Sequence, residues 1–227
     1  MKYDIIYRMK KKIISLAILF PLLLSSCSNK NKNAIVVAES IDNDYATSIG
    51  TANLISMMDS KMSFLLFFYS SVCSHCVEVN AYFERYYGDN HIQMYRYDLY
   101  ENSSTYPELT EYDKDFFPES NYTPRVFIFK NGYRVDEVAN QKLINYSYFK
   151  GAISSFTIKK NNFYTTRDQH RYESFMSEHP DAETVFYNSY TKENIDKYLE
   201  VYNAETLEKP TIVVDLEMYH TYILPEL

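Results

Sequence analysis

The chain has 227 residues, 46% hydrophobic and 23% charged, so it holds enough apolar material for a packed core and is not disordered as a whole. Its formal charge is −7, yet residues 1–26 carry five cations and one anion, which leaves 18 Lys+Arg against 29 Asp+Glu in the rest. A body this acidic repels phosphate backbones, which argues against nucleic acid as a partner. Four Gly, seven Pro and three Cys exclude collagen-like, low-complexity and disulfide-framework classes. The 24 Tyr and 14 Phe without a single Trp read as compositional bias rather than as an aromatic binding surface.

A basic stretch ending Arg8-Met9-Lys10-Lys11-Lys12 precedes the apolar run Ile13 to Leu24. That run is too short for a bilayer span, which needs about 20 residues, but suits the core of a signal peptide. It ends in Leu24-Ser25-Ser26-Cys27, which resembles the lipobox of bacterial lipoproteins. The resemblance implies cleavage after residue 26, a lipid on the Cys27 sulfur, and a chain held in the lipid bilayer at the extracytoplasmic face of the cell membrane. Residues 27–44 are expected to be the lipidated cysteine and a polar tether. Export permits thiol oxidation, and the remaining cysteines are Cys73 and Cys76.

Helical spacing runs from Ser48 to Asp59, and the nearly continuous apolar run from Met62 to Tyr69 predicts a buried central strand. Ser70-Ser71-Val72-Cys73-Ser74-His75-Cys76 follows at once, with Val79, Tyr82, Phe83 and Tyr86 at helical spacing and an expected stop at Gly88. The CxxC therefore sits at a strand-to-helix junction. Ile92 to Asp98 predicts a second strand, Tyr106 to about Asp113 a short helix, and Arg125 to Phe129 a third strand after Tyr122-Thr123-Pro124. Asn131-Gly132 between that run and Tyr133 to Val138 is a strong hairpin signal. A helix over Ile144 to Ile158 closes the region.

This order resembles the thioredoxin-like superfamily over residues 45–158, carried by Phe68 to Cys76 and by Tyr122-Thr123-Pro124 before an apolar strand and Lys130-Asn131-Gly132. The fold implied is a three-layer α/β/α sandwich on a mixed central sheet. On a helix, positions three apart share a face, which brings Cys73 and Cys76 within disulfide reach. Cys73 at the helix N-terminus is the candidate nucleophile, since exposed amides there favour a thiolate. Cys76 is then the resolving thiol, and His75 between them can donate a hydrogen bond or charge. By the resemblance, Thr123-Pro124 is a cis bond facing the CxxC, and Thr123 offers its backbone to a substrate segment. Thioredoxins proper carry a buried Asp six residues before the first Cys and a Trp just before it; here those positions hold Phe67 and Val72.

A zinc half-site lacks a second CxxC, and His91, His170, His179 and His220 show no ligand spacing, so no metal is expected. A structural disulfide is the other plain reading of the pair. In residues 159–227 we read a helix over Thr166 to Met176, a strand from Glu183 to Tyr190, a helix over Glu193 to Tyr202 and a strand from Pro210 to Leu216. This smaller α/β region is either an extension or a shortened, redox-dead copy of the same fold, with Thr191 and Asn194 over the cysteines and Pro210 over Pro124. The functional expectation is a membrane-anchored thiol–disulfide oxidoreductase acting on exported protein or peptide thiols, served by a membrane redox partner. It would need no cofactor beyond its own dithiol. The alternative is a non-catalytic binding module or export accessory protein.

Overall fold

The computed structural model describes residues 31–43, 46–114, 117, 122–138, 140–187 and 191–216. By its contacts the chain divides into residues 1–32 and 33–227, and every element below belongs to the second unit. The signal peptide and Cys27 lie outside the described residues.

One five-stranded sheet is built from β2 (Ala46–Ser48), β3 (Phe64–Tyr69), β4 (Met94–Asp98), β5 (Arg125–Lys130) and β6 (Tyr133–Val138), in the order β2-β4-β3-β5-β6. β2 and β3 run parallel to β4, whereas β5 is antiparallel to β3 and β6 antiparallel to β5. The mixed order follows from the connections. Helices α1 (Thr51–Asp59) and α2 (Ser74–Asn90) supply crossovers that keep strands parallel, and the two-residue turn at Asn131-Gly132 forces an antiparallel return. Asn131 and Gly132 both take positive φ, 54° and 81°, as that turn demands.

β3 is the central strand because its side chains are apolar on both faces. Leu65 and Phe67 pack with α2 and α4 (Tyr146–Phe156) on one side; Phe64, Leu66 and Phe68 pack on the other with α1 and α3 (Tyr106–Tyr112). Each such side chain contributes about 1.5–3 kcal/mol through burial. Residues 46–156 thus have the thioredoxin-like α/β/α fold with a mixed central sheet.

Several expectations need correction. Gly88 does not stop α2, which runs on to Asn90 and ends where His91 takes the left-handed conformation at φ 53°. Residues 35–40, expected within the tether, form strand β1 (Ile35–Ser40), because Ile35 and Val37 are apolar enough to be buried beside α2 and α4. β1 pairs in parallel with a ten-residue strand, β7 (Thr157–Thr166), that starts directly where α4 ends and that its polar residues concealed.

After β7 come α5 (Gln169–Glu178), β8 (Glu183–Tyr187), α6 (Lys192–Asn203) and β9 (Thr211–Asp215). They complete a second sheet of order β1-β7-β9-β8, parallel throughout. The redox-dead repeat is therefore not what forms. In the first sheet the strand after Pro124 runs antiparallel to the strand before the CxxC, whereas β9, after Pro210, runs parallel to β8. The α6 crossover imposes that parallel return. The region is instead an extension packed on the first sheet, since Phe163, Val185, Tyr187, Tyr198, Tyr202 and Val213 share one core with Phe64, Tyr95 and Phe129.

Candidate active site

β3 delivers the chain to the site. At its end, Ser70 to Cys73 closes a turn in which the Cys73 N–H donates to the Ser70 carbonyl at 3.0 Å. Cys73 then serves as the N-cap of α2: its backbone is extended, and its sulfur accepts the Cys76 N–H at 3.3 Å. Helix N-termini have amides without intrahelical partners, and here a sulfur takes the place of the usual Ser or Asp oxygen.

The two thiols sit in different surroundings. Cys73 is part-buried; Cys76 is 1% exposed, within the apolar cluster beneath α2. At Cys73, burial works against the thiolate, but hydrogen bonds from the Cys76 thiol, the Thr123 side chain and the main-chain N–H groups of Cys76 and His75 outweigh it and hold the thiol below its ordinary range. At Cys76, burial first and the bond to Cys73 second push the thiol up to about 11, opposed by Thr123 and the Ser70 amide. The pair is thus a part-buried thiol held below its ordinary range beside a buried one pushed above it.

The opposite wall comes from the segment before β5. The Thr123-Pro124 bond is cis, and the Thr123 carbonyl oxygen lies 3.8 Å from the Cys73 sulfur, although 50 residues separate them. Arg125 fixes this wall: it makes a two-pronged bond to Glu137 on β6, with Nε at 2.9 Å and Nη2 at 2.6 Å, and lies over the rings of Tyr122 and Phe127. Val72 and Tyr122, 70% and 56% exposed, give the rim an apolar surface on both sides of Cys73.

Of the residues singled out from sequence, Cys73, Cys76, Thr123 and Pro124 come together here. His75 does so through its backbone, while its ring pairs with Glu78, Nδ1 to Oε2 at 3.3 Å. Two contributors were not singled out. Arg125 reads in sequence as an ordinary strand residue. Asp98, 4% exposed at the end of β4, accepts the Ser71 N–H at 3.1 Å and so anchors the turn that leads to Cys73. A lone acid at a strand end is a faint signal. No group of His, Cys, Asp and Glu suited to a metal occurs among the described residues.

No protein-family model matches the chain, and no curated protein is significantly similar to it. Solved structures similar to it include thioredoxin O1 from Arabidopsis thaliana in the oxidised state, at 13% identity and a TM-score of 0.37, covering 49% of this chain and 96% of that one. A Plasmodium falciparum thioredoxin, at 20% identity and a TM-score of 0.37, covers 48% of this chain and 98% of its own. A thioredoxin variant from Halobacterium salinarum, at 19% identity and a TM-score of 0.37, covers 50% and 91%. These likenesses fall on half of the chain, and the fold assignment rests instead on its strand order.

Proposed function

We propose that this protein is a thiol–disulfide oxidoreductase with Cys73 as nucleophile and Cys76 as resolving thiol. The observation that carries the reading is the asymmetry of the pair: a thiol eased toward ionisation at a helix N-cap, beside a buried one pushed up to about 11. In the reductive direction the Cys73 thiolate attacks a client disulfide and forms a mixed disulfide. Cys76 then attacks the Cys73 sulfur, and the client leaves as a thiol. The oxidative direction is the reverse. Thr123 and Pro124 form the client-facing wall, with Thr123 offering its backbone to an extended segment and Val72 and Tyr122 covering the flanking residues. His75 assists through its amide. The dithiol itself is the only redox group required.

The setting belongs to the same proposal. The Leu24-Ser25-Ser26-Cys27 sequence supports cleavage and lipidation at Cys27, which would hold the domain at the extracytoplasmic face of the membrane. Its clients there are exported protein or peptide thiols and disulfides, and a membrane redox partner resets the pair. The test is trapping: Cys76→Ser accumulates mixed disulfides with clients, whereas the double Cys73→Ser, Cys76→Ser variant accumulates none and is inactive. Full function in the double variant would favour a binding module instead. Cys27→Ser releases the protein from the membrane fraction; a wild-type protein found soluble, with residues 1–26 attached, would remove the anchor.

A further inference from the structure

The connection between Cys27 and the folded body is far shorter than residues 27–44. Strand β1 takes Ile35–Ser40, with Ile35 fully buried and Ala34 buried just before it. One residue further back, Asn33 Nδ2 donates to the Val135 carbonyl at 3.1 Å and to Asp136 Oδ2 at 2.9 Å, both on the edge strand β6. The chain is therefore fixed to the body from Asn33 onward. Cys27 precedes Asn33 by six residues, and six residues reach at most about 20 Å even when fully extended. A body of this length is about 40 Å across, so the connection is too short to pass around it. The exit at Asn33 then lies on the half of the body turned toward whatever holds Cys27.

That exit suits a headgroup surface. Two residues before Val135 stands Tyr133, 73% exposed, and opposite Val36 in the β1–β7 pair stands Ile158, 41% exposed. Exposed tyrosine and aliphatic side chains are at home at a membrane–water boundary. Residues 27–227 carry 18 Lys+Arg against 29 Asp+Glu, which anionic lipid repels. At the exit the charges are matched instead: Lys159 pairs with Glu39 at 2.7 Å, Arg134 with Glu137 at 3.8 Å, and Asp136 takes Asn33.

The dithiol is close to this exit. Asp136 lies opposite Ile128 on β5 and Ile128 opposite Leu65 on β3, two strand spacings or about 10 Å away. Tyr69 is four residues further along β3, about 13 Å, and the turn to Cys73 follows. Cys73 is thus on the order of 20 Å from the exit. β7 leads the other way, from Thr157 beside Ile35 to Thr166 about 25–30 Å off, with His170 beyond it on α5.

We propose that the headgroup surface of the bilayer is itself a docking partner of this protein: the short connection holds the exit face, with Asn33, Tyr133 and Ile158, against it. The inference rests on the lipidation of Cys27 proposed above. The dithiol then stays within about 40 Å of Cys27, the sum of the two reaches, and meets its clients in the layer next to the membrane.

The test is energy transfer in the lipidated full chain, reconstituted in phosphatidylcholine–phosphatidylglycerol vesicles, from one fluorophore to acceptor-labelled headgroups. The fluorophore is placed on Cys73 in Cys76→Ser, or on Ile158→Cys or His170→Cys with both dithiol cysteines replaced by serine. The His170 side chain is 94% exposed, so its substitution disturbs no packing. Cys73 should lie within about 40 Å of the headgroups, and transfer from position 158 should exceed that from position 170 by about two-fold or more. A Cys73 well beyond that distance, or equal transfer from 158 and 170, would overturn the proposal. About 20 Gly/Ser residues inserted between Lys30 and Asn31 should abolish the difference while the protein stays in the membrane fraction. A difference that survives the insert would overturn the role of the short connection. If Ile158→Cys fails to fold, Tyr133→Cys takes its place with the same expectation. A wild-type chain without lipid on Cys27 would instead defeat the anchor reading itself.

Discussion

At Cys73 the chemistry turns on which atoms of the CSHC segment touch the sulfur, and these are main-chain amides as much as side chains. Alkylation of the reduced protein should therefore label Cys73 at lower pH than a free thiol, while Cys76 stays unlabelled until far higher pH. His75→Ser keeps the amide and should shift the Cys73 pKa little. His75→Pro removes the N–H at a first-turn position where proline is tolerated, and should raise it. Equal labelling of both thiols with a pKa above about 8 in the wild type would contradict the assignment. The cysteines were legible from their spacing at a strand-to-helix junction, and Thr123 and Pro124 from the resemblance to the thioredoxin-like superfamily. Asp98 and Arg125 were not, since their roles depend on partners on other elements, the Ser71 amide and Glu137.

Elements of the first sheet were legible where their residues carried a pattern. β3 is apolar throughout, and the β5–β6 hairpin is announced by Asn131-Gly132. β1 and β7 were missed because their strand conformation depends on distant partners, β1 on β7 and β7 on both β1 and β9, and Lys159, Asn161 and Asn162 in β7 interrupt the apolar alternation. The misread end of α2 has the same cause: an exposed glycine costs a helix only about 1 kcal/mol, which flanking contacts override at Gly88. Gly132 is different. A Cβ there would lie 2.1 Å from the Met58 carbonyl oxygen at a φ of 81°, where the hairpin turn meets the end of α1. Gly132→Ala should cost about 1–3 kcal/mol in chemical denaturation, while Gly88→Ala, with open space around it, should be neutral or stabilising. Equal effects would show that the turn does not press on α1.

For the whole molecule, the two sheets share a core, so the thioredoxin-like part does not end where its own elements do. Ending the chain at residue 158 would strip Phe163, Val185, Tyr187, Tyr198 and Val213 from Phe64, Tyr95 and Phe129, and would leave β1 without its partner. Such a fragment should aggregate or bind a hydrophobic dye, whereas a fragment that unfolds cooperatively like the full chain would contradict the shared core. The central claim is that Cys73 and Cys76 interconvert as a redox pair, and the most direct measurement is their equilibrium in glutathione buffers of graded potential. The account predicts one reversible two-electron transition at a potential above about −300 mV, the range below which structural disulfides lie. A pair that forms no disulfide, or one that stays oxidised well below that potential, would contradict it.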